Sequence, residues 1–269
     1  MKVHYLNCGT LYPRGASLIL PHMDRCPCLC LLIETHKELI LVDTGLSSKD
    51  LENTGRMGLY GRLMGVRPNP DESAKHQIER LGYQPKDVRH IICTHLDRDH
   101  ASGLSDFPSA NIHVTLAEKD ACLNPQTFAE KHRYHKPYFS HDPKWITYER
   151  FINDGWYGLN CVTELVGLPP EIVLIPLPGH TRGHCGVAVN TKNKWILHCG
   201  DAYYIKEELR QIEGPPIDIK VIRHFVHIDL NLAKCQVEKF KNIIKNSNIK
   251  MIASHDQFEY RNIFGKPID

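Results

Sequence analysis

Thr94-His95-Leu96-Asp97-Arg98-Asp99-His100-Ala101-Ser102-Gly103 sets two histidines and two aspartates within six residues. It follows His90-Ile91-Ile92-Cys93-Thr94, an apolar run that reads as a buried strand. A strand that stops at a cluster of metal-ligand side chains gives them the rigid base that a metal site requires. A solvated polar turn would have a similar composition, so the rest of the chain decides between the two readings.

The 269 residues are enough for a sizeable core and are read as one domain, 1–269. Lys plus Arg (33) nearly balances Asp plus Glu (31), for a formal net charge of +2, which argues against a broad nucleic-acid surface. The basic run Lys131-His132-Arg133-Tyr134-His135-Lys136 is read as a solvated face. The segment Met1–Cys8 has no apolar core of a signal peptide, and no run of 18 apolar residues occurs, so neither export nor a membrane span is expected and the location is taken as cytoplasmic. Phe264–Asp269 is no lipidation signal. In that setting the ten cysteines are expected to be reduced. Cys26, Cys28 and Cys30 alternate, which puts them on one face of a strand as small hydrophobes rather than as a redox or metal motif.

Short strands are expected at 2–7 and 16–20 around a Tyr12-Pro13-Arg14-Gly15 turn, and a hairpin at 28–34 and 38–42. Leu39-Ile40-Leu41-Val42 is wholly apolar, as a central strand is, and ends at Asp43-Thr44-Gly45. Residues 53–70 carry four glycines but no Gly-Lys-Ser/Thr, so they form no phosphate loop and read as a mobile loop able to cover a site. A helix from Ser73 to Leu81 is stopped by Gly82. Strands at 88–93 and 111–115 and a helix at 116–123 follow. The segment 124–160 is irregular and aromatic, reads as a pocket wall or lid, and has Trp145, Tyr148 and Phe151–Ile152 at helical spacing. Strands at 172–175, 185–189 and 194–198, an amphipathic helix at 229–246 and a strand at 249–253 complete the chain.

Four of these strands end in candidate ligands. The strand at 88–93 precedes His95–His100, that at 172–175 precedes His180, that at 195–199 precedes Asp201, and that at 249–253 precedes His255. Strand ends of a layered protein converge on one edge, which would gather His95, His100, His180 and His255 with Asp97, Asp99 and Asp201. Seven nitrogen and oxygen donors with no obligatory cysteine suit two hard or borderline divalent ions. A carboxylate bridges such a pair at roughly 3.5–4 Å.

On these motifs the sequence resembles the metallo-β-lactamase-fold hydrolases. Leu41-Val42-Asp43-Thr44-Gly45, His95–His100, Pro178-Gly179-His180-Thr181-Arg182-Gly183-His184, Gly200-Asp201 and Ser254-His255-Asp256 stand in that family's order. The resemblance implies an α/β (α+β) fold of the four-layer αββα sandwich type, with metals at one edge of two sheets. Within the family, the helix Ser73–Leu81 followed by Gly82-Tyr83-Gln84-Pro85, and Asp201-Ala202-Tyr203-Tyr204, are similar to the N-acyl homoserine lactonase branch. Carried over by position, His95, Asp97 and His180 hold one ion; Asp99, His100 and His255 hold the other; Asp201 bridges. The implied activity is a metallo-hydrolase that uses a metal-bound hydroxide on a small ester, above all a lactone. Tyr204 would hydrogen-bond the oxyanion and Asp99 would protonate the leaving alkoxide. Asp43 and His184 would stand behind the ligands. Two Zn2+ are the expected cofactor, a small molecule the substrate, and a monomer or homodimer the assembly, with neither membrane nor nucleic acid as partner.

One residue departs from the pattern. The family's usual motif is His-x-His-x-Asp-His, and Asp97 stands at its second histidine. A carboxylate there either ligates its ion or leaves that position weak, and it shifts preference toward Fe or Mn. Flavo-diiron oxidoreductases carry an acidic residue at this place but also need a flavodoxin domain, for which 269 residues leave no room. The alternatives on the same scaffold are a thioesterase of the glyoxalase II type, a di-iron redox or dioxygenase protein, a nuclease, and a non-catalytic relative that has lost one metal.

Overall fold

The computed structural model describes residues 1–162, 164–210 and 214–266. The last three residues, on which the end of the 1–269 domain and part of the lipidation reading fall, lie outside the described residues. Alternation along the strands explains the layers. Six strands, Lys2–Leu11 (β1), Cys26–Glu34 (β2), Leu39–Val42 (β3), Val88–Ile92 (β4), Asn111–Thr115 (β5) and Lys144–Tyr148 (β6), form one sheet in sequential order. The β1–β2 and β2–β3 pairs are antiparallel and the β3–β4, β4–β5 and β5–β6 pairs parallel. Ile152–Trp156 (β7) and Leu159–Cys161 (β8) make a separate ribbon. Ile172–Pro176 (β9), Cys185–Asn190 (β10), Trp195–His198 (β11) and Ile249–Ile252 (β12) form the second sheet, in the order β12-β11-β10-β9.

Successive side chains of a strand point to opposite faces. On β2 and β3, Leu31, Ile33, Ile40 and Val42 meet Leu174, Val187 and Ile196 of the second sheet, so the two sheets bury one shared core. Cys30, Leu32, Leu39 and Leu41 point the other way, onto Ala74 and Ile78 of the helix Ala74–Arg80. On the far side, Val173, Ile175 and Leu197 pack on Val237, Phe240 and Ile243 of the helix Leu230–Ile243. The order is therefore helices, sheet, sheet, helices, the αββα arrangement that the motif order implied. These strands are apolar on both faces because both faces are covered.

Several local expectations are corrected. Residues 16–20 are not a strand: Ala16–Ile19 is one helical turn, and β1 instead runs on to Leu11 through a bulge at Gly9, whose φ of 116° only glycine takes without strain. The segment 53–70 carries a 3-10 turn, Thr54–Met57, and a helix, Gly58–Leu63, because Met57 and Val66 are buried anchors. Trp145 and Tyr148 lie on β6, not on a helix, since β5 offers an unpaired edge. The helices Ile217–Val226 and Gln257–Phe264 were not expected. Cys26, Cys28 and Cys30 are buried free thiols on β2, and Cys28, read as a small hydrophobe, lies beside Asp99 and His255 in a group that could hold a metal. Among the described residues no helix is long and apolar enough to cross a membrane.

Candidate metal centre

The ends of β4, β9, β11 and β12 converge. All seven candidate ligands lie at that edge, tied together by backbone bonds that cross between loops: Cys185 N–H donates to Thr94 O at 2.9 Å, Ser254 N–H to Gly200 O at 3.1 Å, and Leu29 N–H to Ser254 O at 2.9 Å.

Asp43 explains how His100 is aimed. It sits at the end of β3 with φ 57°, a conformation aspartate tolerates better than most side chains. Its carboxylate accepts from Thr94 N–H and Thr94 Oγ1–H, both at 2.7 Å, and from His100 Nδ1–H at 2.9 Å. Burial pushes this carboxyl up, but His100 outweighs that and holds it below the usual range. Thr94 Oγ1 also lies 3.0 Å from His95 Nδ1; as its own hydrogen goes to Asp43, it accepts there. His255 Nδ1–H donates to Pro27 O at 2.8 Å. With Nδ1 protonated in all three rings, each imidazole in its neutral form turns a bare Nε2 lone pair inward.

Those lone pairs face one another. His100 Nε2 and His255 Nε2 are 3.3 Å apart, an arrangement that is repulsive unless a proton or a metal cation lies between them. Asp201 is 3.4 Å from His100 Nε2 through Oδ1 and 3.3 Å from His255 Nε2 through Oδ2, and Asp99 Oδ2 is 3.4 Å from His255 Nε2. Ligand atoms around a tetrahedral ion with bonds of 2.0–2.1 Å are about 3.3–3.4 Å apart. His100, His255 and Asp201, with Asp99 beside His255, therefore have spacings that suit a divalent cation. Asp201 Oδ1 is buried without a hydrogen-bond partner, as a ligand atom at a metal position is. His184 links this set to β9: its Nδ1–H donates to Leu177 O at 3.0 Å and its Nε2 accepts from Asp201 N–H at 2.9 Å, so it positions Asp201.

The triad His95, Asp97 and His180 is different. Its ligand atoms gather, with Asp97 Oδ2 at 3.3 Å from His95 Nε2 and 3.2 Å from His180 Nε2. However, Arg133 reaches into the same space. Its Nε and Nη2 grip the two oxygens of Asp97, Nη2 also touches His180 Nε2, and Nη1 donates to Val226 O. Burial pushes the Asp97 carboxyl up; Arg133 and then His95 outweigh that and hold it well below the usual range. With the guanidinium in place, this triad does not fit a second cation. Arg133 closes the helix Phe128–Arg133 and its side chain is 14% exposed, so the reading of 131–136 as a solvated face is corrected at this residue.

Arg133 also fixes a tautomer. A guanidinium only donates, so His180 Nε2 must accept and its Nδ1 carries the hydrogen. Tyr204 Oη, 3.2 Å from that Nδ1, then accepts, which leaves the Tyr204 hydroxyl hydrogen free. A cavity of about 540 Å³ opens over the site, with Asp99, Arg133, Asp201 and Tyr204 on its floor and Leu11, Met23 and Phe225 in its walls. Tyr60 and Met64 from 53–70, and His132 and Arg133 from 124–160, line it too.

Sequence reasoning missed Arg133 and also Glu118. Glu118 is fully buried and accepts from Leu96 N–H, Tyr134 Oη–H, Thr181 Oγ1–H and Gly183 N–H, which clamps the loops of His95 and His180 to each other. A side chain at Gly183 would drive into Glu118 N at 2.1 Å, which explains the glycine there.

The Metallo-beta-lactamase superfamily profile matches residues 23–234, and the chain belongs to that family. It is 42% identical over 204 residues to a probable metallo-hydrolase of Mycobacterium tuberculosis, across 76% of this chain and 63% of that protein, so it spans less than two thirds of that relative's length. It is 27% identical over 234 residues to an N-acyl homoserine lactonase of Bacillus thuringiensis, across 86% and 81% of the two chains. A solved N-acyl homoserine lactone hydrolase, with N-hexanoyl-L-homoserine bound at its catalytic metal center, matches with a TM-score of 0.74 at 23% identity over 99% of this chain and 98% of that one. The dizinc quorum-quenching lactonase AidC matches with a TM-score of 0.62 at 16% identity over 94% and 86%. Likeness at these identities establishes the shared fold.

Proposed function

We propose that the chain is a metal-dependent hydrolase of a small ester, with a lactone as the substrate class. The observation that carries this reading is the spacing of the His100 and His255 Nε2 atoms, 3.3 Å apart beside the carboxylates of Asp99 and Asp201, on the floor of a largely apolar cavity. The lactonase relatives support the choice of lactone, and the cavity's apolar walls suit a substrate with a hydrocarbon chain.

Asp99, His100, His255 and Asp201 are assigned as the ligands of a divalent cation, zinc first, with iron or manganese also suited to an N/O donor set. When bound, such an ion polarises a carbonyl and brings a water's pKa toward neutrality. The protein's own groups do the rest. Asp43, Pro27 O and His184 fix the ligand orientations. The free Tyr204 hydroxyl donates to the oxygen that gains charge as the ester carbonyl is attacked. Asp99, which lines the cavity, takes a proton from the attacking water and passes it to the leaving alkoxide. Cavity residues from 53–70 and 124–160 wall off bulk water, in keeping with a covering role for both segments. The buried free cysteines suit a reducing compartment such as the cytoplasm.

A panel of lactones, thioesters and β-lactams, assayed on the metal-loaded protein, tests the reading. Lactones are expected to turn over fastest. Preferred cleavage of thioesters would move the protein to the thioesterase class, and no turnover of any ester would overturn the proposal.

A further inference from the structure

We infer that Arg133 stands in for a second metal ion: the centre takes one divalent cation per chain, and the guanidinium supplies the other positive charge. The inference rests on the centre being metal-dependent, as proposed above, and goes beyond it by assigning the number of ions and a residue that sets it.

The argument is spatial and electrostatic. Two of the three groups that would ligate an ion at the first position are engaged by Arg133, and the third, His95 Nε2, is buried without a hydrogen-bond partner. Asp97 gives both oxygens to the guanidinium, through Nε and Nη2. His180 gives its Nε2 lone pair to the same Nη2. One guanidinium nitrogen thus contacts two of the three would-be ligands, and an ion and that nitrogen cannot share the space between them. The charge balance agrees. A histidine-rich first position would be neutral and need a cation from solution, whereas Asp97 brings a negative charge that a fixed cation offsets. Arginine keeps its charge at all working pH values and matches a carboxylate with two parallel bonds, which a lysine does not.

The placement is built rather than incidental. Arg133 ends a helix begun by a reciprocal cap between Thr127 and Glu130. Glu130 also pairs with Arg182 at 3.0 Å, which ties that helix to the loop bearing His180. The third guanidinium nitrogen donates to Val226 O, at the end of the helix Ile217–Val226. The guanidinium is thus held from three sides over Asp97. The four-ligand position of Asp99, His100, His255 and Asp201 has no such intruder among the described residues. A substrate carbonyl or carboxylate at the cavity floor would then meet one ion on one side and an arginine on the other, so Arg133 is a group that touches both the metal ligands and the substrate space.

Metal stoichiometry tests this without reference to activity. The purified protein is loaded with excess Zn2+, passed through a desalting column and analysed by elemental mass spectrometry. One zinc per chain is expected for the wild type, none for His255→Ala, and two for Arg133→Met combined with Asp97→His, which clears the first position and restores a histidine there. Arg133→Lys, which keeps a charge, is expected to stay at one, and thermal melts establish that each variant is folded. Two zinc ions in the wild type would overturn the inference while leaving the hydrolase reading intact. No zinc in the wild type would overturn both. A double variant that folds and still binds one ion would show that Arg133 does not set the number.

Discussion

Arg133 holds Asp97 by a two-pronged ion pair across 36 residues of sequence, Nε to Oδ1 at 2.6 Å and Nη2 to Oδ2. Both side chains are more than four-fifths buried. A charge left alone in such a place is destabilising, because neither water nor a partner compensates it. Arg133→Met is therefore expected to lower the free energy of unfolding, measured in chelator by urea denaturation, by about 3 kcal/mol. Adding Asp97→Asn is expected to recover part of the loss. Equal losses in the single and double variants would mean that packing, not charge, is what Arg133 supplies.

Asp43 reaches the centre through hydrogen bonds from His100 and Thr94. Asparagine tolerates the same left-handed backbone, so Asp43→Asn leaves the turn intact and weakens only the hydrogen bonds. Zinc affinity, measured by competition with a chromophoric chelator, is expected to fall on the order of 10- to 100-fold. An unchanged affinity would remove Asp43 from the orienting role.

Tyr204 has its hydroxyl hydrogen free because His180 donates to its oxygen. For Tyr204→Phe we expect kcat for the best lactone to drop on the order of 100-fold with KM little changed, the mark of a bond made chiefly in the transition state. A rise in KM with unchanged kcat would assign Tyr204 to substrate binding instead.

His113 carries a pH dependence away from the metal centre. Its Nδ1 lies 2.8 Å from Tyr148 Oη and its Nε2 2.8 Å from His90 Nδ1. Burial, followed by the neighbouring His90, pushes its pKa down to about 3. The unfolded chain takes up this proton near pH 6.5 and the folded one only near 3, so the contribution of neutral His113 is complete above pH 6.5 and is lost as pH falls toward 3. Between pH 7.5 and 5 the wild type is expected to lose about 2 kcal/mol more stability than His113→Gln. Parallel pH profiles for the two proteins would contradict this.

Much of the site was legible because its ligands interrupt apolar strands. Val88–Ile92, Ile172–Pro176 and Ile249–Ile252 are mostly apolar and mostly buried, and the histidines just after them stand out. Arg133 and Glu118 were not legible for the opposite reason. Each looks like an ordinary helix residue, and each meaning comes from partners far along the chain, Asp97 and Val226 for the first and Leu96, Thr181 and Gly183 for the second. The helix Ile217–Val226 was hidden because Ile217, Val221 and Phe225 are exposed apolar residues, which blurs the polar face that marks an amphipathic helix. Trp145 and Tyr148 matched helical spacing by accident over so short a segment, and the open edge of β5 decided their conformation.

The central claim is that a cation held by Asp99, His100, His255 and Asp201 makes this chain an ester hydrolase. The most direct measurement strips the protein with a chelator, adds back Zn2+ in steps, and follows opening of an N-acyl homoserine lactone by acid release, for the wild type and for His255→Ala. The account predicts no hydrolysis in the stripped protein, a return of activity that rises with bound zinc and then levels off, and no return in His255→Ala. Hydrolysis that persists after the metal is removed, or a His255→Ala protein that recovers like the wild type, would contradict it.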